Sequence, residues 1–211
     1  MKDGSITVLT GPVEGPHLTN LLQTAAPGLT VYHAEDRAAL EEAEALSRGQ
    51  PRRLVAFCTN IIVPLPILDA YEAGAYNFHP GPPEYPGIHC SSFALYEGAT
   101  AFGVTAHEMV AQVDAGRIVG LRRFAINNDA NLEELDVEAY LSLAGLFDEM
   151  APSLVDLQRP LPILLGEQWG ARKYTRKDFQ ALEQTEPAKG TPLHKRWLRA
   201  LNRPNIGELL P

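Results

Sequence analysis

LVAFCTNIIVPLPILDAYEAGAYNFH, residues 54–79, is the stretch whose reading decides the fold. Leu54 to Cys58 is an apolar run of buried-strand length, and Ala75 to His79 is another. Between them Pro64 and Pro66 break the apolar segment Ile61 to Leu68, and a short helix is expected over Ile67 to Tyr71. The same rhythm runs upstream. Ser5 to Leu9 reads as a strand ending in a turn at Thr10, Gly11 and Pro12, and Leu18, Leu21 and Leu22 follow at helical spacing. Leu29 to His33 reads as a second strand and Glu35 to Ser47 as a helix. Strands alternating with helices imply an α/β fold: a mostly parallel sheet covered by helices on both faces. Ligands of such sheets sit outside the carboxyl ends of the strands, where Asn77 and His79 lie.

Downstream, Pro80 to Gly87 (PGPPEYPG) holds four prolines and two glycines in eight residues and must be a stiff loop. A helix is expected over Ser91 to Glu97. Strands are expected over Gly103 to Met109 and Arg117 to Phe124, with a turn at Asp114-Ala115-Gly116, and a long helix over Leu132 to Leu157. After Arg159 the composition shifts toward Pro, Lys, Arg and Trp, with short helical patterns at Asp178 to Glu183 and Leu193 to Leu201. The expected organisation is a domain over residues 1–159 and an extension over 160–211 that packs on it or on a partner.

Composition narrows the function. Of 211 residues 45% are hydrophobic and 21% charged, which excludes a disordered chain. Lys+Arg 18 against Asp+Glu 26 gives a net charge of −8, which argues against nucleic acid as the main partner. Cys58 and Cys90 make neither a disulfide framework nor a cysteine zinc site. The opening MKDGSITVLTGP lacks the apolar run of a signal peptide, and no stretch is long enough to span a membrane, so a cytoplasmic location is expected.

Asn77 and His79 are two apart on a strand, so both side chains leave one face. Asp114 comes from a turn much later in the chain. If the turn folds beside the strand end, an amide donor, an imidazole and a carboxylate converge. An amide and an imidazolium can donate to an oxyanion, and a carboxylate can hold the imidazole charged or accept a proton. None of the three is a good covalent nucleophile, which points to an external amine or water attacking a carbonyl. Three other readings stand beside this one. Asn77 and His79 can be a turn-stabilising pair. His79, His89, His107 and Asp114 can be a metal site, although their spacings match no compact zinc motif. Pro83 to Pro86 can be a proline-rich ligand for another domain.

Asn77-Phe78-His79-Pro80, Tyr85-Pro86-Gly87, Gly103-Val104-Thr105-Ala106-His107 and Asp114-Ala115-Gly116-Arg117-Ile118 occur in this order. The set resembles a divergent, short branch of the formyl transferase family, which includes methionyl-tRNA, glycinamide ribonucleotide and sugar N-formyltransferases. The resemblance runs from about Leu54 to Val119. It implies a Rossmann-like formyltransferase fold and 10-formyltetrahydrofolate as co-substrate, with no metal. It assigns the catalytic roles to Asn77, His79 and Asp114. It implies pterin contacts from Ile61, Ile62 and Val63, and from the segment Met109 to Val113, with Met109, Val110 and Val113 as its apolar members. Where the family has Ser-Leu-Leu-Pro after the histidine, this chain has Gly81-Pro82-Pro83-Glu84.

The expected acceptor is a small-molecule amine, an amino sugar or an amino acid derivative. Thr10 to Gly15 is a poor phosphate cradle, because Pro12 lacks a donor and Glu14 repels an anion. The basic carboxyl-terminal barrel of the tRNA enzymes has no counterpart in the sequence, so no tRNA partner is expected. Arg172, Lys173, Arg176 and Lys177 around Tyr174 form either a solvated basic stretch or an acceptor contact. The apolar residues of the extension would suit a homodimer. Alternatives are a formyltetrahydrofolate hydrolase, with water as nucleophile, and a non-catalytic folate-binding module. A dinucleotide oxidoreductase would need a G-x-G-x-x-G after the first strand, which is absent.

Overall fold

The computed structural model describes residues 4–202. Six strands form one sheet in the order β2-β1-β3-β4-β5-β6, comprising β1 (Ser5–Leu9), β2 (Thr30–Ala34), β3 (Arg52–Phe57), β4 (Ala75–His79), β5 (Ala101–Glu108) and β6 (Ile118–Ala125). The pairs β1/β2, β1/β3 and β3/β4 are parallel, while β4/β5 is antiparallel, with Asn77 opposite His107 and His79 opposite Thr105. Every residue of β1 and β3 is buried, as expected of inner strands of a covered sheet, whereas the edge strand β2 is mostly half-exposed.

Local chemistry sets the helices. α1 (Gly15–Ala25) starts with Pro16 in its first turn and buries Leu18 and Leu22. α2 (Arg37–Leu46) is capped by the Asp36 carboxylate, which accepts from the Ala39 N–H at 2.8 Å. The short α3 (Leu65–Leu68) begins ahead of the expected Ile67, because proline suits the first helical turn and Pro66 occupies it. α4 (Cys90–Glu97) ends on Gly98 in the left-handed region, φ +77°. α5 (Leu132–Leu154) opens with a reciprocal cap between Asn131 and Glu134, at 2.9 and 3.0 Å. α6 (Arg176–Gln184) has a capping box between Thr175 and Asp178, and α7 (Pro192–Ala200) is capped by Thr191.

Two departures from the sequence expectation share one cause. β3 begins at Arg52 rather than Leu54, and α5 ends at Leu154 rather than Leu157. Arg53 is fully buried and donates to the carbonyls of Ser153 and Leu154, which closes the last turn of α5. A pattern of apolar residues cannot register a strand that starts on two arginines.

The described residues form two compact units. The first takes the chain through His79, Thr105–Gly120 and Ala144–Glu167. Its core includes Leu9, Ala34, Leu40, Leu54, Ala56, Val63, Leu68, Tyr71 and Ala75. The second takes Pro80–Val104, Leu121–Leu143 and the described residues from Gln168. Its core joins Phe93 of α4 to Tyr174, Leu182, Trp197 and Leu198. Residues 203–211 of the expected extension lie outside the described residues. No helix among the described residues is long and apolar enough to cross a membrane.

Cys58, directly after β3, sits at φ +46°. A side chain in that left-handed region costs about 1–2 kcal/mol, partly offset in a glycine replacement by about 0.5–1 kcal/mol of unfolded-state entropy. Cys58→Gly should therefore raise the thermal midpoint slightly, by up to about 1 kcal/mol of stability. A fall in that midpoint by calorimetry would mean that the thiol's contacts outweigh the backbone strain.

Candidate active site

Asn77 and His79 close β4, and period-two alternation puts them on one face. The antiparallel register with β5 then places His107 opposite Asn77. The turn that follows β5 returns the chain at Arg117, whose carbonyl accepts from the Glu108 N–H at 2.9 Å. Arg117 also clamps the Glu108 carboxylate through two bonds of 2.6 Å. Gly116 is required in this turn, because a Cβ there would lie 1.9 Å from the Glu108 carbonyl oxygen. Asp114, at φ +50°, is thereby turned back over the strand ends.

The result is a buried polar cluster in the first unit. His79, His107 and Asp114 are exposed by only 7%, 3% and 7%. Asp114 Oδ1 stands 3.4 Å from His107 Nε2 and 4.0 Å from His79 Nδ1. Asn77 Nδ2 lies 3.1 Å from His107 Nε2, and His107 Nδ1 lies 2.8 Å from the Glu108 carbonyl oxygen. A carbonyl only accepts, so His107 carries a proton on Nδ1. Nε2 of the neutral ring then accepts from the Asn77 amide and orients it. The three residues singled out from sequence are thus brought together, and His107, which sequence reasoning weighed only as a metal ligand, joins them as a hydrogen-bond partner. Its signal was present, since His107 alternates with Thr105 toward one face of a strand, but the register that places it against Asn77 was not.

The expected pterin residues divide. Val63 is part of the core, and Ile61 and Met109 pack against the same cluster half-buried. Ile62, Val110 and Val113 are exposed by 64%, 42% and 41%. The Ile61 N–H donates to Thr59 Oγ1 at 3.2 Å and the Met109 N–H to the Ala75 carbonyl at 2.8 Å, so neither amide is open to a ligand. Among the described residues the amides of Ile62, Val63 and Val110 have no such partner. Exposed apolar side chains beside open amides suit a flat, hydrogen-bonding heterocycle.

His89 belongs to the second unit, where it stacks on Phe179 with ring centroids 3.8 Å apart. Among the described residues no group of three or more His, Cys, Asp or Glu is arranged to hold a metal ion.

Comparison with known proteins follows the same lines. The model of the formyl transferase family matches residues 19–139. A methionyl-tRNA formyltransferase from Listeria monocytogenes is 33% identical over 129 residues, which is 61% of this chain and 39% of that protein. The chain therefore spans about two fifths of the length of that curated relative. A sugar N-formyltransferase from Shewanella superposes with a TM-score of 0.73 at 16% identity, covering 97% of this chain and 90% of that one. The formyltransferase PseJ from Anoxybacillus kamchatkensis, solved with UDP-4,6-dideoxy-4-formamido-L-AltNAc and tetrahydrofolate, gives 0.70 at 21% identity, covering 93% and 100%. At these identities the two structures speak for the fold.

Proposed function

This chain belongs to the formyl transferase family, and from that premise we propose that it transfers a formyl group from 10-formyltetrahydrofolate to the amine of a small-molecule acceptor, an amino sugar or an amino acid derivative. The observation that carries the reading is the meeting of Asn77, His79, His107 and Asp114 at the carboxyl end of β4, with all three ionisable members buried. The folate-bound and sugar-bound state of PseJ supports the donor and a sugar-borne amine. The net charge of −8 disfavours tRNA as the acceptor.

Among the described residues the amides of Ile62 and Val110 lack an acceptor, and Ile62, Val110 and Val113 offer exposed apolar surface, on which the pterin would rest. The folate supplies the formyl carbon as an activated amide. The acceptor nitrogen attacks this carbon and a new C–N bond forms. Asn77, oriented by His107, and protonated His79 donate to the oxygen as it gains negative charge. Asp114 holds the imidazolium and takes the proton released by the attacking amine. The carbon–nitrogen bond to the folate then breaks, and its nitrogen leaves with that proton.

The test is to incubate the protein with 10-formyltetrahydrofolate and a library of primary amines, following products by mass. The expected result is an acceptor that gains one formyl group, with donor consumption dependent on that amine. Formate released at the same rate without any amine would replace the transferase with a hydrolase. No consumption and no donor binding at millimolar concentration would remove the folate reading.

A further inference from the structure

Residues 109–116 (MVAQVDAG) leave the end of β5, return at Arg117, and carry Val110, Val113 and Asp114 on one loop. Both ends of that loop are tied. The Met109 N–H donates to the Ala75 carbonyl of β4 at 2.8 Å, and the Glu108 N–H donates to the Arg117 carbonyl at 2.9 Å. The side chains of Glu108 and Arg117 meet as well, because Arg117 Nε and Nη2 each donate to a Glu108 carboxylate oxygen at 2.6 Å. The Arg117 side chain is 64% exposed and that of Glu108 18%. A surface ion pair contributes little as a rule, but a two-bond guanidinium–carboxylate fork fixes direction as well as distance. All of these residues belong to the first unit.

The Glu108 carbonyl is where this clasp meets the buried cluster. Its oxygen accepts from His107 Nδ1 at 2.8 Å, and Nε2 of the same ring lies 3.1 Å from the Asn77 amide nitrogen. The place of that oxygen therefore decides which ring nitrogen carries the proton. Gly116 keeps the space beside it clear, since a Cβ there would lie 1.9 Å from it. Two residues earlier Asp114 is held at φ +50°, a backbone conformation that a side chain keeps only where its surroundings impose it. Its carboxylate comes within 3.4 Å of His107 and 4.0 Å of His79.

We infer that Glu108, Gly116 and Arg117 act as one positioning device, which holds the Glu108 carbonyl against His107 and closes the loop that brings Asp114 to the histidines. The inference rests on the proposed catalytic roles of Asn77, His79 and Asp114. With the clasp closed, His107 keeps its proton on Nδ1 and presents Nε2 to one N–H of the Asn77 amide, which leaves the second N–H for the reacting oxygen. With the clasp open, the Glu108 peptide is free to turn and His107 loses its acceptor. A proton that moves to Nε2 then faces the Asn77 NH₂, donor against donor, and the amide rotates to present its oxygen. The edge that offered an N–H to the oxyanion would offer a carbonyl lone pair instead. An exposed arginine thus acts on a buried amide through a peptide group and a ring.

The test uses the full chain labelled with ¹⁵N-histidine, with the His107 ring signals assigned by their loss in His107→Gln. His107 is 3% exposed, so in the unaltered protein its Nδ1 proton should be observed directly and exchange slowly with water. Arg117→Gln should speed that exchange about five-fold, the upper end for a surface ion pair. Gly116→Ala, which forces the Glu108 peptide aside, should speed it at least about ten-fold and move the Nε2 signal toward that of a proton-bearing nitrogen. Glu108→Arg and Arg117→Glu should each act at least as strongly as Arg117→Gln, and the two together should restore slow exchange. Arg37→Gln breaks an exposed 2.6 Å pair with Glu41 on α2 and should leave the His107 signals unmoved. Once an acceptor is known, kcat should fall about five-fold in Arg117→Gln and recover in the reversed pair. An unprotected Nδ1 proton in the unaltered protein, or unchanged exchange in Arg117→Gln, would overturn the device. A reversed pair as fast as its single variants would overturn the ion pair as the cause. Faster exchange with kcat unchanged would overturn the positioning role. The exchange measurement needs no formyl transfer, so failure of the proposed activity is read separately.

Discussion

Asp114→Asn is expected to lower turnover by about 10²–10⁴, the range for removing a positioned acid–base group, while KM for the formyl donor changes little. The replacement keeps size and hydrogen-bonding capacity. It removes the negative charge 3.4 Å from His107 and 4.0 Å from His79, in a site from which water is largely excluded. In the proposed mechanism the imidazolium of His79 then lacks its counter-ion, so support for the developing oxyanion is lost. The attacking amine also loses the base that takes its proton. On the proposed reading the donor rests on Ile62, Val110 and Val113, which the substitution leaves in place. Steady-state kinetics with the acceptor identified by mass would check this. Turnover within three-fold of the unaltered protein would take Asp114 out of the proton path.

The second large effect is on stability. Arg53 is fully buried, and its guanidinium donates to Ala73 O at 2.9 Å, Ser153 O at 2.9 Å, Leu154 O at 2.6 Å and Arg159 O at 2.7 Å. It also lies over the Tyr76 ring, 5.4 Å from its centroid. Two of these carbonyls end α5, where the helix dipole is negative. Burial pushes the guanidinium pKa down from its ordinary value, and that desolvation is the cost the bonds must offset. Arg53→Met fills similar space and strands four carbonyls at once. A buried acceptor left unsatisfied costs about 1–3 kcal/mol, so stranding four of them costs about 4 kcal/mol or more, a large share of the roughly 5–15 kcal/mol that holds a domain. At about 2–4 °C per kcal/mol for a chain of this size, the melting temperature should fall by roughly 10 °C or more. Calorimetry within 3 °C of the unaltered protein would show that water or relaxation satisfies those carbonyls.

Arg53 also shows why part of the fold was illegible. Periodicity reads apolar side chains, and a buried arginine satisfied by carbonyls a hundred residues away looks like a loop residue until those carbonyls are placed. The same limit explains Tyr174. Its neighbours Arg172, Lys173, Arg176 and Lys177 read as a solvated stretch or an acceptor contact, and neither reading places Tyr174, which is 5% exposed and donates its N–H to the Pro86 carbonyl. Pro66 is the opposite case: the correct rule was available, since proline favours a first helical turn, and applying it would have started α3 at Leu65.

What the sequence determined by itself is what depends on neighbours in the chain. Short apolar runs separated by helical patterns specified a covered, mostly parallel sheet. The two-residue spacing of Asn77 and His79 specified a shared face at a strand end. The prolines specified a stiff loop after it. What only the tertiary structure decided is which distant groups meet there. The antiparallel pairing of β5 against β4 set His107 opposite Asn77, and the Gly116 turn carried Asp114 back over both histidines. Register and loop return are fixed by hydrogen bonds and close packing between segments far apart in the chain, and no local pattern of side chains encodes them.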